Sequence, residues 1–421
     1  MVTKQKDIRV LSKRYSKLET LMNHVNCDSL KKEHKRQSSN KASGIDHVTK
    51  KEYEENLDEN LNNLISRMKS FSYRPLPVRR TYIPKANGDY RPLGIPSYED
   101  KLVQGVMANI LNDVYEPRFL DCSYGFRENR SAHDAIKAIN EIIMSKNVSY
   151  VLECDIKGFS DNVDHNWLIK FLEHDINDKN FLRYIVRFLK SGIMENGQLE
   201  ESKLGTPQGG LISPVLANVY LHYVLDSWFY KHVAPNLQGE AYLIRYADDF
   251  IILFEHEDEA IEVYKRLEER LKHFGLELAK DKTRILPFGR FKGTNETFDF
   301  LGFTHFNSKT RSGSYSVGHK VTKKKKKLFK QKLKIWIKEN RNIKYQVFMK
   351  KLNIKLTGTY RYYGTNGMMY ELRRLHFHAM GVTFKWMNRR SQRKSFTFDK
   401  FSKSWYELIK EPKIYVDIWS Y

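Results

Sequence analysis

Two adjacent aspartates, Asp248 and Asp249, stand between two apolar segments of the sequence. These segments, Tyr242–Tyr246 and Phe250–Phe254, are rich in β-branched and aromatic residues, which is typical of buried strands. A tight turn would account for the aspartates, although the usual glycine-containing turn pair is missing. Two neighbouring carboxylates between apolar strands repel each other unless a cation neutralises them. A turn and a metal site are both compatible with this segment alone.

A third aspartate favours the metal site. Asp155 follows another apolar run, Tyr150–Cys154, and precedes a glycine-containing turn. Carboxylate oxygens bind Mg²⁺ well, together with substrate phosphates and water. Two such ions, about 3.5–4 Å apart, stabilise both the attacking and the leaving oxygen of a phosphoryl transfer. Asp155, Asp248 and Asp249 therefore predict a two-ion Mg²⁺ site at strand ends.

The net charge of +23 is concentrated in the last quarter of the chain. Residues 320–421 contain 27 lysines and arginines against 6 aspartates and glutamates, whereas the first 319 residues are close to neutral. A solvated charged tail would have low sequence complexity, but this segment is rich in leucines and aromatic residues. A basic folded region of this kind indicates a polyanionic partner, and we expect that partner to be nucleic acid.

The remaining composition bounds the class of protein. The chain has 421 residues, of which 41% are hydrophobic, enough for a core and for about two to four domains. Three cysteines without a Cys-x-x-Cys pair favour a reducing compartment over a disulfide framework or a zinc site. The sequence begins without an apolar leader, and no segment approaches the length of a membrane span. We therefore expect a cytoplasmic protein without membrane contact.

Hydrophobic periodicity predicts the elements that position these residues. An amphipathic helix is predicted over residues 5–37 and a second helical region over about 50–70. Ser213 is a candidate cap for a helix that Pro214 opens and that runs to about Tyr230. Phe298–Phe303 is predicted as a strand with a glycine for close backbone approach. Further helices are predicted at 98–115, 257–274, 345–362, 368–390 and 398–410, and after the lysine run 323–327, where the apolar positions include Leu328, Leu333, Ile335 and Trp336.

A hairpin is predicted over Arg79–Pro96, because Asn87-Gly88 between alternating residues is a strong turn signal. Lys85 and Arg91 would then lie on adjacent strands, just before and just after the turn. Two cations in that arrangement can bind a triphosphate, with the guanidinium making paired contacts. In isolation, an ordinary exposed hairpin with soluble side chains is the better interpretation.

The segment Tyr246-Ala-Asp-Asp249, with Asp155 upstream on its own strand, resembles the palm of reverse transcriptases. From about residue 40 to 410, further motifs follow in the order found in group II intron-encoded reverse transcriptases with a maturase domain. They are Gly44–Asp46, Cys122–Arg127, Leu204–Pro214, Leu356–Gly364 and Asn388–Phe396. The resemblance implies an α+β right-hand polymerase, with fingers and palm of antiparallel sheet plus helices and an α-helical thumb or maturase domain. The implied domains are an N-terminal helical extension at 1–72, fingers at 73–150, a palm at 151–310 and a basic thumb at 311–421.

The same resemblance implies roles for individual residues. Asp155, Asp248 and Asp249 would be catalytic and, with Ile156, would hold two Mg²⁺ ions. Contacts to the incoming nucleotide or its leaving group are implied for Lys85, Arg91, Phe159, Ser160, Gln208 and Lys282. The primer grip would comprise Leu301 and Gly302. RNA contacts are implied for Lys323, Lys324, Lys325, Lys326, Lys327, Arg389, Arg390, Arg393 and Lys394.

One position departs from the family. Five residues past the first catalytic aspartate, these enzymes usually place a bulky aromatic ring that excludes a ribose 2′-hydroxyl, whereas this sequence has Ser160. Selection against ribonucleotides should therefore be weak, unless the neighbouring Phe159 acts as the gate.

The implied activity is RNA-templated extension of a DNA or RNA primer with dNTPs, together with binding of a structured RNA such as a group II intron. RNA-splicing (maturase) activity is implied as well. A splicing chaperone without polymerase activity, or a host-adopted reverse transcriptase in antiphage defence, are the alternatives that stay open. A group II intron RNA around the coding region would decide between them. We expect no target-cleaving nuclease module, because no Cys- and His-bearing segment follows Lys410.

Overall fold

The computed structural model describes residues 7–84, 90–195, 197–200, 204–205, 209–390 and 395–419. The N-terminal part is helical. Its helices are α1 (Ile8–Arg14), α2 (Cys27–Arg36), α3 (Lys50–Glu55) and α4 (Leu57–Lys69). The helical region predicted over residues 50–70 is confirmed by α3 and α4.

The prediction of a single helix over residues 5–37 is wrong. Between α1 and α2, the backbone of Leu18 hydrogen bonds to Asp175 and Asn177 far along the chain. An extended contact of this kind is incompatible with a continuous helix. A new helix then begins at Cys27, because the side chains of Asn26 and Ser29 form a capping box.

The predicted hairpin is confirmed by β1 (Val78–Pro84) and β2 (Tyr90–Ile95), which pair antiparallel along their length. Its turn, residues 85–89, falls outside the described residues. Two helices follow, α5 (Tyr98–Tyr115), as predicted, and α6 (Ala132–Ser145). Two later strands, β4 (Ile193–Glu195) and β5 (Gln198–Glu200), extend the hairpin into a four-stranded sheet of order β2-β1-β4-β5.

The apolar run before Asp155 forms β3 (Tyr150–Cys154). The segment between β3 and the later strands of the hairpin sheet is helical. It comprises α7 (Phe159–Asn162), α8 (His165–Asp175) and α9 (Lys179–Leu189), followed by β4 (Ile193–Glu195) and β5 (Gln198–Glu200). Strand β4 runs parallel to β1, which attaches the hairpin to this helical segment.

The helix predicted after Pro214 is present, but its start differs by one residue. Helix α10 (Ser213–Leu221) has Ile212 as its cap residue, so that Ser213 is the first helical residue and not the cap. Proline is accepted in the first turn, where its missing N–H has no intrahelical partner. Two π-helical turns then continue the helical segment as far as Val233.

The two apolar segments around the aspartate pair form β6 (Ala241–Tyr246) and β7 (Asp249–Phe254). They are followed by the predicted helix α11 (Glu257–His273) and by β8 (Arg284–Pro287). These strands and β3 make an antiparallel central sheet of order β6-β7-β3-β8.

The prediction of one strand over Phe298–Phe303 is wrong, because the chain reverses there. Strand β9 (Thr297–Phe300) pairs with β10 (Phe303–Lys309), leaving Leu301 and Gly302 as a two-residue turn. Both turn residues have positive φ, 50° and 83°, as the favoured two-residue hairpin turns require. Strand β11 (Tyr315–Val321) completes a sheet of order β11-β10-β9.

The basic C-terminal region is helical, as predicted. Leu333 and Ile337 are buried in its first helix, whereas Ile335, expected among the apolar positions, is 47% exposed. The described helices of this region are α12 (Lys323–Asn340), α13 (Tyr345–Tyr363), α14 (Met369–Met387) and α15 (Phe398–Leu408).

Across the described part of the chain, no helix combines the length and apolar character needed to cross a membrane.

The central sheet is apolar on both faces and separates two hydrophobic cores. Leu152 and Ile252 belong to the first core, which is formed with the N-terminal helices, α5 and α8–α11. Val151 and Ile251, one residue away, belong to the core formed with α6, β9–β11 and the C-terminal helices. This double burial explains why β3 and β7 contain runs of consecutive apolar residues, at 150–152 and 250–254, instead of alternating with polar ones.

Candidate active site

The aspartate pair lies where a tight turn meets β7, and the turn itself is one of the two interpretations of the sequence. Strands β6 and β7 pair up to Tyr246 opposite Asp249, so that only Ala247 and Asp248 form the turn. Ala247 has a φ of 57°, in the left-handed region that favours glycine. A non-glycine residue there costs about 1–3 kcal/mol and persists where the surrounding structure holds it.

Asp155 lies at the same edge of the central sheet. It directly follows Cys154, the last residue of β3, which is opposite Phe250 of β7. Because the strands are antiparallel, Asp155 and Asp249 stand at the ends of neighbouring strands. The structure therefore brings the predicted aspartates together.

The carboxylates are close enough to influence one another's ionisation. Burial and the charges of Asp248 and Asp155 raise the pKa of Asp249 to about 6. Burial also raises the pKa of Asp248, and the charge of Asp155 adds to the effect. Since a bound cation would relieve this repulsion, the cluster favours binding of a cation.

Lys282 places a positive charge at the same edge. Its Nζ donates a hydrogen bond to Oδ2 of Asp155 at 2.5 Å. This bond raises the pKa of Lys282, so that the side chain is an ammonium ion near neutral pH. Lys282 thus faces the predicted metal ligands, within reach of a group bound by them.

The three aspartates can bind Mg²⁺ when a substrate supplies further ligands to the ion. In the parts of the chain that the structure describes, no three or more His, Cys, Asp or Glu side chains are arranged to hold an ion by themselves. Mg²⁺ is usually bound through one or two carboxylates, while substrate phosphates and water complete its octahedron. Asp155, Asp248 and Asp249 can supply those carboxylates.

A cavity of about 710 Å³ opens beside Asp155 and Asp248, and we call it the acidic pocket. Arg91 reaches it from the hairpin, and its charge opposes the rise in the pKa of Asp248. Lys85 and Gln208, also predicted to bind nucleotide, fall outside the described residues. The predicted residues that line the pocket are Arg91, Asp155, Ile156, Phe159, Ser160, Asp248 and Lys282.

The two candidates for the sugar gate differ in their environment. Phe159 is only 3% exposed and belongs to the first core. Its ring packs edge-on against Tyr220, with the centroids 6.3 Å apart. Ser160 is half-buried in the wall of the acidic pocket. The serine therefore occupies the wall, while most of the phenylalanine ring is committed to packing.

On the other side of Asp249 lies a groove of about 640 Å³, which we call the tyrosine groove. The predicted grip residues Leu301 and Gly302 line it, next to two tyrosines of α13. The Tyr362 hydroxyl donates to the Leu301 carbonyl at 2.7 Å. A Cβ on Gly302 would lie 2.8 Å from Oη of Tyr363. Helix α13 is therefore packed directly on the β9–β10 turn.

Sequence reasoning missed the other residues of α13 that line the tyrosine groove. Lys355, Gly358 and Thr359 line it. Gly358 has open space where a Cβ would be, although a glycine inside a helix costs about 1 kcal/mol relative to alanine. The spacing of Lys355, Gly358 and Tyr362 along one helical face was the available signal.

The predicted RNA-contacting lysines do not form one uniform surface. Lys325 lines the tyrosine groove, and its charge opposes the rise in the pKa of Asp249. Lys326 forms an ion pair with Glu371 of α14. The others, Lys323, Lys324 and Lys327, are exposed on α12.

Two of the arginines predicted to bind RNA, Arg389 and Arg390, lie just past the end of α14. The Arg389 guanidinium is 5.4 Å from the Trp386 ring centroid. Arg390 donates to the Ile343 carbonyl at 3.3 Å. Neither arginine lines the acidic pocket or the tyrosine groove. Arg393 and Lys394 fall outside the described residues.

A buried ionic cluster lies against the Ala247–Asp248 turn on its protein side, and no local pattern in the sequence predicted it. Arg245 and Asp226 are fully buried and paired through two hydrogen bonds of 2.7 and 2.6 Å. Arg245 also donates to the Ala247 carbonyl at 2.9 Å, to Asn218 at 3.0 Å and to Ser123 at 2.8 Å. These contacts hold Ala247 in its left-handed conformation.

Residues 83–305, more than half of the chain, match a family model that is described as "Reverse transcriptase (RNA-dependent DNA polymerase)". The chain belongs to the reverse transcriptase family. The α+β fold expected for a reverse transcriptase is thereby confirmed, and the central sheet lies within the matched region.

Several known proteins are similar in sequence to this reverse transcriptase. Over 166 residues it is 45% identical to the group II intron-encoded protein LtrA of Lactococcus lactis subsp. cremoris, covering 39% of this chain and 27% of LtrA. Over 320 residues it is 32% identical to protein YkfC of Escherichia coli (strain K12), covering 68% of this chain and 81% of YkfC. It is also 28% identical to the putative COX1/OXI3 intron 2 protein of Saccharomyces cerevisiae, covering 58% and 34%. The chain thus matches about a quarter of the length of LtrA.

Proposed function

We propose that this chain is an RNA-directed DNA polymerase that extends a primer 3′ end with dNTPs. The observation that supports this activity is the position of the carboxylates between two cavities. Asp155 and Asp248 line the acidic pocket, and Asp249 lines the tyrosine groove. A nucleotide in the pocket and a primer end in the groove would meet at these side chains.

Two Mg²⁺ ions bound by Asp155, Asp248, Asp249 and the backbone of Ile156 would polarise the phosphate and stabilise the attacking and leaving oxygens. The protein's own contribution is mainly positioning and charge. Arg91, on the hairpin, would bind the triphosphate together with Lys85. Gln208 is proposed to contact the nucleotide from a separate segment of the chain. Lys282, an ammonium ion beside Asp155, would offer its Nζ proton to the departing pyrophosphate.

On the other side of the site, the backbone of Leu301 and Gly302 would hold the primer end, with α13 supporting the turn. The α12–α15 helices, which carry most of the net positive charge, would contact the RNA. We propose fingers at 73–150, a palm at 151–310 and a thumb at 311–421 for these roles, with a helical extension before them.

Substitution of the aspartates tests this activity. Asp155→Asn and Asp248→Asn should each abolish Mg²⁺-dependent dNTP incorporation on poly(rA)/oligo(dT), because each removes a charged ligand while keeping the side-chain volume. Asp281→Asn is the matched control, since Asp281 lines the same pocket but is exposed and is not at a strand end. RNA binding should be unchanged in all three variants. Substantial synthesis by either of the first two would contradict the assignment.

RNA splicing is a second candidate function, favoured by the likeness to intron-encoded proteins together with the basic helices. If the chain assists splicing, a cognate group II intron RNA should splice faster with the protein, and Asp248→Asn should keep this effect. Polymerase activity without any splicing effect would instead favour a host-adopted enzyme, as in antiphage defence.

A further inference from the structure

A phenylalanine at the end of α4 has an unfavourable backbone conformation and an exposed ring. Phe71 is the second residue past the helix and has a φ of 58°. This position in a helix end is usually glycine, because the left-handed conformation has no steric cost there. The Phe71 side chain is nevertheless exposed, at 37%. Strain at an exposed aromatic residue suggests that the ring itself has a use.

One arginine stacks on this ring, and it belongs to a group of three arginines. The Arg183 guanidinium lies 4.0 Å from the Phe71 ring centroid. Burial lowers the pKa of the Arg187 guanidinium, and the nearby charges of Arg74 and Arg183 lower it further. Among the ion pairs of the described residues, none involves Arg74, Arg183 or Arg187. Such a like-charge cluster is stabilised when an anion binds to it.

The Phe71 ring also borders a cavity of about 680 Å³ between α2, α4 and α9. Its lining combines apolar side chains, such as Met22, Ile65 and Met68, with the amides Asn23 and Asn180. One carboxylate, Asp28, lines it as well. Apolar walls with a few hydrogen-bonding groups suit a planar heterocycle such as a nucleobase.

We propose that Phe71, Arg74, Arg183 and Arg187 form a second nucleic-acid site, the Phe71 surface, which binds single-stranded RNA. The arginines would contact successive phosphates, and one unstacked base would lie on the Phe71 ring at the mouth of the cavity. A single strand fits better than a duplex, because paired bases do not expose the faces that stack on an aromatic ring. None of these four residues lines the acidic pocket or the tyrosine groove. The proposal does not depend on polymerase activity.

Binding of a labelled oligouridylate, measured by fluorescence anisotropy, tests the Phe71 surface. The assay uses the full chain without dNTPs or Mg²⁺, and an excess of unlabelled RNA–DNA duplex occupies the polymerase cleft. Phe71→Asn keeps a residue that tolerates positive φ but removes the ring, and should weaken binding by about 5–150-fold. Arg74→Gln with Arg183→Gln should reduce the slope of log affinity against log salt by about 1 to 1.5. Lys265→Gln, which removes one exposed charge from α11, is the control and should bind normally.

Two results would overturn the proposal. Unchanged affinity and salt slope in both the Phe71 and the arginine variants would show that RNA does not bind there. A weaker arginine variant with normal binding by Phe71→Asn would reveal a general polyanion surface instead of a single-strand site. Addition of one dNTP to a primer on a template with a single unpaired nucleotide should be normal in every variant, so that failure of this proposal is distinguishable from failure of the polymerase assignment. Thermal melting verifies that each variant is folded.

Discussion

At the scale of single residues, the effect of a substitution depends more on the environment of the side chain than on the type of residue. Ser160 and Phe159 are neighbours in sequence, yet the serine is in the pocket wall while the phenylalanine packs in the first core. Arg245 and Lys282 are both cations near the aspartates, yet one is fully buried behind the turn and the other lies at its open side. Substitutions at these positions should therefore have different consequences.

Ser160→Phe should increase the preference of the enzyme for dNTPs over rNTPs. A phenylalanine in the pocket wall would exclude the 2′-hydroxyl by volume, a discrimination worth about 10–200-fold. Single-nucleotide kinetics with matched dNTP and rNTP would measure the ratio of kcat/KM for the two substrates.

The control for this measurement is Phe159→Leu, which keeps an apolar side chain in the core. It should leave the nucleotide preference of the enzyme unchanged. Strong dNTP preference in the unmodified enzyme that is lost in Phe159→Leu would show that Phe159 is the gate.

Arg245→Met should destabilise the fold strongly, because it leaves Asp226 buried and unpaired. Breaking a buried ion pair from one side costs about 3–5 kcal/mol, whereas replacing both partners with apolar residues costs much less. The free energy of unfolding in urea should therefore recover when Asp226→Leu is added. Arg266→Met, which breaks an exposed pair with Glu262, should cost less than about 1 kcal/mol. Equal destabilisation by the Arg245 and Arg266 substitutions would contradict this interpretation.

At the scale of elements, the sequence predicted most helices and strands but not the points where distant segments determine the structure. The predicted boundaries of α5 and α13 are correct within a residue, since each follows from local periodicity. The break after α1 depends on pairing of Leu18 with the segment at 175–177. The turn at Leu301 is stabilised by α13, some sixty residues later. Contacts of this kind leave no trace in a short window of sequence.

The same limit applies to the candidate site. Asp155, Asp248 and Asp249 could be predicted because each follows or interrupts an apolar strand. The residues behind them, Arg245 with Asp226, could not, because their partners come from separate segments and their spacing has no pattern. Resemblance to a family supplied what periodicity lacked, namely the roles proposed here for Arg91 and Lys282.

Gly302→Ala should damage both the β9–β10 turn and its contact with α13. The new Cβ would meet the Tyr363 hydroxyl at 2.8 Å, in a backbone conformation with a φ of 83°. Gly293→Ala is the matched control, since Gly293 also has a positive φ but open space around it. The control should be destabilised by about 1–2 kcal/mol from backbone strain alone, and Gly302→Ala should be destabilised more.

Primer extension separates the two glycine variants further. Gly302→Ala should raise the KM for primer–template, whereas Gly293→Ala should not change it. Equal stability and equal KM in the two variants would mean that the β9–β10 turn is not part of primer binding.

At the scale of the whole molecule, the basic helices are joined to the body by a hydrophobic core. Phe300 and Phe303 pack in the same cluster as Leu352, Tyr360 and the outer residues of the central sheet. Removing the C-terminal region would therefore expose an apolar face. Substitution of its surface charges is the better test of its role.

Replacing Lys323, Lys324 and Lys327 with glutamine should weaken RNA binding and flatten its salt dependence. For every phosphate that the variant no longer neutralises, the slope of log affinity against log salt should fall by about 0.7–0.9. A control variant with glutamine at Lys51, Lys265 and Lys272 removes the same charge from exposed positions of α3 and α11. If both triple variants show the same slope, net charge governs binding and the α12 surface has no special role.

The double burial of the central sheet has a consequence for movement during synthesis. Strands β3 and β7 contribute alternate residues to both cores, so shifting either strand would disturb the packing of the whole body. The aspartates at their ends are therefore fixed in the frame of the protein. In the proposed reaction, the primer and template must advance past this stationary edge after each addition, and the parts of the protein that adjust to the step must be those outside the sheet. We expect the hairpin bearing Arg91, whose strands β1 and β2 are mostly exposed or half-buried, to supply that adjustment.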